Sequence, residues 1–359
     1  MNIVKNNDIL KDKIKIFGSK GYNHGEFNKI RDMETFMYNN EHLILIVDHR
    51  NHRLELFKIN NDNTFIYLTT FNGGNEPFCL PANILYIGNG LFICTEVQDS
   101  ERVQIIKIIK DRCSYKIIPQ FILKGCSGPG GLSQYKNYIF IPEYMTSSIQ
   151  ICNLINNDYV LNPIQKFTDE YLNNPIDSVI IGNKLLIIDC KKKNKGVKSI
   201  IIYEIDDSND LILIFIKEIT TAFGQNFDFS YSAGAICSIE NNILIADSEN
   251  DRIIFGLFND EENDIEFKWQ YKNTDLFLFP TSVCFGRNNT IMVSCFHHFG
   301  KTELEDYDKI LIIPLKNFNI KSELKQIVNK SIILYDDNID EIKTGLKIFS
   351  DIVFSEKKK

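Results

Sequence analysis

Apolar residues in this chain fall in short consecutive runs, neither alternating nor at helical spacing. The clearest run, Leu43-Ile44-Leu45-Ile46-Val47, stops at Asp48, and similar runs stop at Glu96, Glu143, Asp189 and Asp247. A sixth, Ile291-Met292-Val293-Ser294-Cys295, carries no acid. Four or five apolar residues bounded by polar turns predict a strand covered on both faces. After each run come a short polar loop and a second strand, over 54–59, 103–109, 149–155, 199–205, 252–258 and 309–315. No segment before residue 320 has a convincing 3.6-residue period.

A second phrase precedes each run by roughly fifteen residues. It reads apolar, two variable, Pro-like, one variable, small or polar, apolar. The copies are Phe27-Ile30-Asp32-Met33, Phe78-Pro81-Asn83-Ile84, Cys126-Pro129-Gly131-Leu132, Leu172-Pro175-Asp177-Ser178, Phe229-Ser232-Gly234-Ala235 and Phe277-Pro280-Ser282-Val283. They recur at a pitch of roughly fifty residues, the range in which repeats build arrays and propellers.

Each repeat holds about four short strands with Gly, Asn and Asp at the turns. One such sheet leaves both faces apolar, whereas radial stacking covers them. The expected fold is therefore all-β, a six-bladed propeller of four-stranded antiparallel blades over residues 1–317. In blade 1, strand a is placed near 31–38, b near 42–48, c near 53–59 and d near 64–71. Blade 6 lacks its own outer strand, so residues 13–17 are expected to complete it and close the ring. Residues 318–359 form a C-terminal extension outside the repeat.

The composition is that of an ordinary globular protein, 44% hydrophobic and 24% charged. A net charge of −7 argues against general polyanion binding, which leans on surplus Lys and Arg. Nine cysteines, an odd number without a Cys-x-x-Cys pair, read as buried thiols of a reducing compartment. With no signal-like N-terminus and no long apolar run, the expected address is cytoplasmic. The abundance of Asn, Ile and Lys suggests an AT-rich genome, such as that of a protist or a large DNA virus.

Phe17-Gly18, Gly25-Glu26-Phe27 and Asp48-x-x-Asn51-His52-Arg53, with a second copy at Asp247-Ser248-Glu249-Asn250-Asp251-Arg252, resemble the NHL repeat. The resemblance spans roughly residues 13–316 and is degenerate in blades 2, 3, 4 and 6. It implies a six-bladed propeller of a family in which some members bind RNA on one face. Similar propellers include calcium-dependent lactonases and a zinc-dependent amidating lyase.

The acids that end strand b read as structural, bonding backbone N–H groups of the b–c turn. Asp48 with Arg53, and Asp247 with Arg252, are expected to pair. His49, His52, His297 and His298 lie on b–c loops of blades 1 and 6, which ring closure makes neighbours. Imidazole with Asp48 or Glu303 is a reasonable zinc or iron set. Against it, His52 belongs to the repeat and adjacent histidines point apart on an extended chain. Asp32, Asn83, Asp177 and Ser282 share one inner-strand position, where small residues in other copies point to turn geometry rather than axial ligation. A Lys-rich loop over 191–198 is the one basic stretch suited to single-stranded RNA.

The leading expectation is a monomeric, non-enzymatic scaffold without cofactor. It docks a protein or peptide on the face of b–c and d–a loops, through His49, Arg50, Gln98, Tyr144, Lys192 and His297. The alternative is a metal-dependent hydrolase or lyase of the lactonase type, using calcium or zinc, and the third an RNA-binding module.

Overall fold

The computed structural model describes residues 9–97, 101–112, 114–155, 159–190, 198–222, 229, 234–272, 279–296 and 308–315. The extension over 318–359 lies outside them. The described residues form six four-stranded antiparallel sheets, each running a-b-c-d from the axis outward. Blade 1 comprises Ile30–Tyr38, Glu41–Asp48, Arg53–Ile59 and Phe65–Phe71. Blade 2 comprises Pro81–Gly88, Leu91–Glu96, Arg102–Asp111 and Ser114–Lys124. Blade 3 comprises Ser133–Tyr135, Tyr138–Glu143, Ser148–Ile155 and Val160–Phe167. Blade 4 comprises Pro175–Ile181, Lys184–Cys190, Lys198–Asp206 and Ile212–Ile219. Blade 5 comprises Ile236–Ile239, Asn242–Asp247, Arg252–Asn259 and Asp264–Lys272.

Among the described residues blade 6 has three strands from its own neighbourhood in sequence, Pro280–Phe285, Thr290–Cys295 and Lys309–Pro314. Its fourth is Lys15–Phe17, with Lys15 opposite Ile312 and Phe17 opposite Ile310. The ring of this six-bladed propeller is thus closed by the N-terminal strand, as the pattern predicts. Phe17 seals the seam by stacking on Phe65 with centroids 4.1 Å apart and meeting Phe27 and Phe57 edge-on.

The consecutive apolar runs now have a cause. One hydrophobic core lies between each pair of neighbouring blades, six in all around the described ring. Leu43, Leu45 and Val47 enter the core shared with blade 2. Ile44 and Ile46, on the other face of the same strand, enter the core shared with blade 6. A strand that must supply two cores has no polar face.

The acid ending strand b is the second recurrent device. Asp48 accepts the Asn28 N–H at 2.8 Å, and Glu96 the Cys79 N–H at 2.8 Å. Glu143 accepts the Ser127 N–H at 3.0 Å, and Asp189 the Asn173 N–H at 2.9 Å. Each donor stands two residues before the Pro-like position of its own blade. The acids therefore fix the lead-in to strand a. That lead-in is too irregular for ladder bonds, and the carboxylate supplies the acceptor its N–H requires.

A cation completes the device. Arg53 donates to Asp48 at 2.8 Å and reaches the carbonyls of Tyr22, Asn23 and Glu26 at 2.8–2.9 Å. Arg252 donates to Asp247 at 2.6 Å. Arg102 does the same for Glu96 and binds the Glu76 and Pro77 carbonyls at 2.8 Å. In blade 3 the cation is Lys166 from strand d, 2.7 Å from Glu143. Replacing Arg53 by Ala leaves Asp48 buried without its charge partner and frees the 22–26 loop. We expect a loss of about 3–5 kcal/mol, measured by urea unfolding.

Candidate active site at the axial mouth

Strand a begins on the face where the d–a and b–c loops emerge, and in blades 1, 4 and 6 its first turn is irregular. The register skips one residue between Ile30 and Asp32, Pro175 and Asp177, and Pro280 and Ser282. A bulge of this kind re-aims the extra side chain. The skipped residues are Arg31, Ile176 and Thr281, and the equivalent positions in blades 2 and 3 hold Ala82 and Gly130. Among the described residues, only the blade 1 bulge carries a charge.

Arg31 is half-buried, and its guanidinium makes no hydrogen bond or ion pair with any described residue. Burial lowers its pKa, opposed by the charges of Asp177 and then Asp32. Asp32 Oδ1 accepts the Met33 N–H and the Ser282 hydroxyl, both at 2.8 Å. Its Oδ2 accepts the Ile84 N–H at 2.9 Å. Asp177 stands on blade 4, opposite blade 1 in a six-membered ring. Its Oδ1 accepts the Ser178 N–H at 2.9 Å and its Oδ2 the Ile236 N–H at 2.8 Å. Room for it is made by Gly131, where a Cβ would coincide with Asp177 Oδ1.

The two acids differ in proton affinity. Burial pushes the Asp32 carboxyl up to about 6, against three hydrogen bonds and Arg31. Burial, and next the Asp32 charge, push Asp177 up to about 8. A pair separated in this way holds one ionised and one protonated carboxyl near neutral pH. Asp177 also retains two unused acceptor sites, whereas Asp32 retains one.

The expected binding-face residues partly converge here. The Tyr144 phenol is close enough to act on the Arg31 charge. Arg50 is exposed, with its guanidinium 5.7 Å from the Phe296 ring centroid. His49 is buried, and its Nδ1 meets the Pro81 carbonyl at 2.8 Å. Burial, then the cations Arg31, Lys29 and Arg50, lower its pKa to about 3, so it is neutral. Gln98, Lys192, His297 and His298, with the whole 191–197 loop, lie outside the described residues.

The histidines of blade 1 turn out to be struts of the repeat. His52 Nδ1 accepts the Leu80 N–H at 3.1 Å. In blade 5 the equivalent Ser248 donates to the Pro280 carbonyl at 2.7 Å, and Asp251 accepts the Phe279 N–H at 2.8 Å. His49 and His52 therefore spend one ring nitrogen each on the next blade's strand a. This predicts that His49→Ser, which copies Ser248, keeps most of the stability that His49→Ala loses. The loss in the alanine variant should be about 1–3 kcal/mol, read from thermal unfolding.

The calcium implied by the propeller resemblance does not fit this opening. Asn83 Oδ1 is a buried acceptor without a partner, which a cation would suit. Asp32, however, is already three-quarters engaged, and the Arg31 charge stands in the same opening and repels a cation. Among the described residues no group of three or more His, Cys, Asp or Glu converges on a metal position.

Sequence reasoning passed over Arg31, Lys29 and Arg102. Arg31 was detectable as the one charged residue in its repeat column. Arg102 was hidden by a b–c loop one residue longer than those of blades 1 and 5.

No family model matches the sequence, and no curated protein matches it. Among solved structures, the periplasmic gluconolactonase of Pseudomonas aeruginosa superposes with a TM-score of 0.54 at 10% identity, covering 75% of this chain and 79% of that one. An auxiliary nutrient binding protein from Bacteroides ovatus gives a TM-score of 0.53 at 12% identity, covering 85% of this chain and 76% of its own. At such identities the likeness is one of fold.

Proposed function

We propose that the chain is a hydrolase of small cyclic esters, the lactone class, acting at the axial mouth. The observation that carries this reading is Arg31, a guanidinium with no hydrogen-bonded partner among the described residues, which feels the charges of two carboxyls of different proton affinity, Asp177 and Asp32. A docking surface for a peptide has no use for such a pair, whereas ester hydrolysis needs each of its parts. The gluconolactonase among the similar folds supports the reading by analogy of scaffold alone.

In the proposed reaction the ring carbonyl oxygen lies on the Arg31 guanidinium. Asp32, ionised, takes a proton from water as its oxygen bonds to the carbonyl carbon. The negative charge of the tetrahedral species rests against Arg31. As the ring C–O bond breaks, protonated Asp177 gives its proton to the departing alkoxide. The product is the open hydroxy acid, and a proton passing from Asp32 to Asp177 restores the pair. The Asn28-Lys29 lead-in and the b–c loops of blades 1 and 3 wall the opening.

The pH profile follows with its sign. The base requires pH above about 6 and the acid pH below about 8, giving a bell with its maximum near 7. Arg31→Gln removes a group with no hydrogen-bonded partner among the described residues, so folding should be unaffected. We expect kcat/KM for a neutral lactone to fall about 100-fold or more, with an unchanged melting temperature. Full lactonase activity in Arg31→Gln, or a pH profile flat from 5 to 9, overturns the assignment.

A further inference from the structure

Among the described residues, the two axial acids are bound alike except for one hydroxyl. Oδ1 of each accepts the N–H of its own next residue, Met33 for Asp32 at 2.8 Å and Ser178 for Asp177 at 2.9 Å. Oδ2 of each accepts an N–H from the following blade, Ile84 at 2.9 Å and Ile236 at 2.8 Å. The difference comes from the preceding blade. Ahead of Asp32 stands Ser282 of blade 6, whose hydroxyl donates to Oδ1 at 2.8 Å. Ahead of Asp177 stands Gly131 of blade 3, where even a Cβ would coincide with Oδ1. One repeat position thus gives Asp32 a third donor and denies it to Asp177.

Ser282 is fixed from behind by a chain of hydroxyls. Thr281, Ser282 and Ser294 are all buried. Thr281 donates to the Ile30 carbonyl at 2.7 Å. A hydroxyl has one proton, so in the 2.9 Å contact between Thr281 and Ser294 it is Ser294 that donates. The Ser294 oxygen accepts the Ser282 N–H at 2.9 Å. Blade 6 therefore grips blade 1 on both sides of Arg31, at the Ile30 carbonyl before it and the Asp32 carboxylate after it. Blade 2 has the backbone part of this device: Thr95 accepts the Asn83 N–H and donates to the Gly130 carbonyl, both at 3.1 Å. No carboxylate stands at its end.

These bonds set which oxygen can act. With two donors on Oδ1 and one on Oδ2, the free lone pair of Asp32 is on Oδ2, whereas Asp177 keeps one on each oxygen. The proton affinities run the same way. Burial raises both acids. At Asp32 the Ser282 hydroxyl is one of three hydrogen bonds that oppose it, whereas at Asp177 two oppose it and the Asp32 charge adds to it. Arg31, on the same strand as Asp32, acts on both acids. Glu34 stands two residues further along that strand, and the thiols of Cys94, Cys237 and Cys284, facing Asp32 from blades 2, 5 and 6, are held neutral by burial.

We propose that Ser282 is the positioning residue that makes Asp32, and not Asp177, the base of the axial mouth. Its hydroxyl fills Oδ1 and leaves Oδ2 to take the proton from water. The assignment rests on the reading of the axial mouth as a hydrolytic site and narrows the base to one atom. In that reaction Ser282 acts through Asp32 alone.

The test is carbon-13 NMR titration of the full chain labelled at its aspartate carboxyls, with the Asp32 resonance identified by its loss in Asp32→Asn. Hydrolysis of a neutral lactone is followed over the same pH range. Ser282→Ala should move the Asp32 titration, and with it the acid limb of kcat/KM, up by about one pH unit, the worth of a hydrogen bond to a charged group. KM at the optimum should stay as it is. Thr95→Val is the control, since it breaks the matching tie of blade 2 and makes no hydrogen bond with Asp32. Both variants should melt lower than the parent, and only Ser282→Ala should move the titration. An Asp32 titration unchanged in Ser282→Ala, or moved as far in Thr95→Val, overturns the proposal. A Ser282-dependent titration without lactone turnover in the parent removes the hydrolase and keeps the hold of Ser282 on Asp32. Turnover whose acid limb ignores Ser282 removes the assignment and keeps the hydrolase.

Discussion

The ring depends on a buried carboxylate that ends strand b and holds the backbone leading into strand a. Without it, that lead-in has N–H groups with nowhere to go, since it runs across the face of the blade and joins no ladder. The carboxylate is costly in isolation. Burial pushes Asp48 up to about 6 although Arg53, Asn51 and the Asn28 N–H all favour its ionised form. Such a pair is weak as a net stabiliser and strong as a constraint, because removing either member strands the other. Its value here is positional: it sets the angle at which each inner strand enters the axis, and so fixes where residues 31, 32 and 177 can be.

The interblade struts extend the same logic sideways. His49 and Ser248 bind the carbonyl of the next blade's first inner-strand residue, and His52 and Asp251 accept the N–H just before it. Chemically unlike residues thus do one task at one repeat position. Asp32 and Asp177 form a third such tie, each accepting an N–H from the following blade. The axial acids are consequently held by the two blades they join, and their geometry is as rigid as the ring. Rigid presentation of opposed groups is what a preorganised site requires.

How much of this was written in the chain depends on whether a residue repeats. The blades, their order and the closing strand were legible because six copies of one pattern constrain one another, and a two-sided strand must be apolar throughout. Asp48 with Arg53 was legible because the spacing recurs at Asp247 and Arg252. Its full role was not: the bonds from Asn28, Cys79, Ser127 and Asn173 join residues well apart in sequence, a juxtaposition that no local pattern encodes. The blade 1 histidines suggest chemistry by their imidazoles, while the structure uses His49 as a donor to a backbone carbonyl and His52 as an acceptor of a backbone N–H, tasks that serine and aspartate fill in blade 5. Arg31 was missed for the opposite reason. It is ordinary as a residue and becomes informative only against the Ala82 and Gly130 of the other copies.

The carboxyls at the axis also link the chemistry to the stability of the ring. Asp32 and Asp177 have folded-state pKa values raised from an ordinary 3.8 to about 6 and about 8. The folded protein therefore holds more protons than the unfolded chain across that interval. Their contribution to stability is complete below the unfolded value and is lost as pH rises through 6 and then 8. Glu41 works in the other direction. Hydrogen bonds from Lys110, Lys58 and Tyr115 lower it to about 2, so what it contributes is present above its ordinary 4.5 and is lost as pH falls through 2. Lys110 and Tyr115 belong to blade 2 and Glu41 to blade 1, so this rim pairing keeps two blades together over the range in which the axial acids ionise. The protonation state suited to hydrolysis, one carboxyl charged and one not, is reached near neutrality, before the second ionisation removes the rest of what the pair gives the fold.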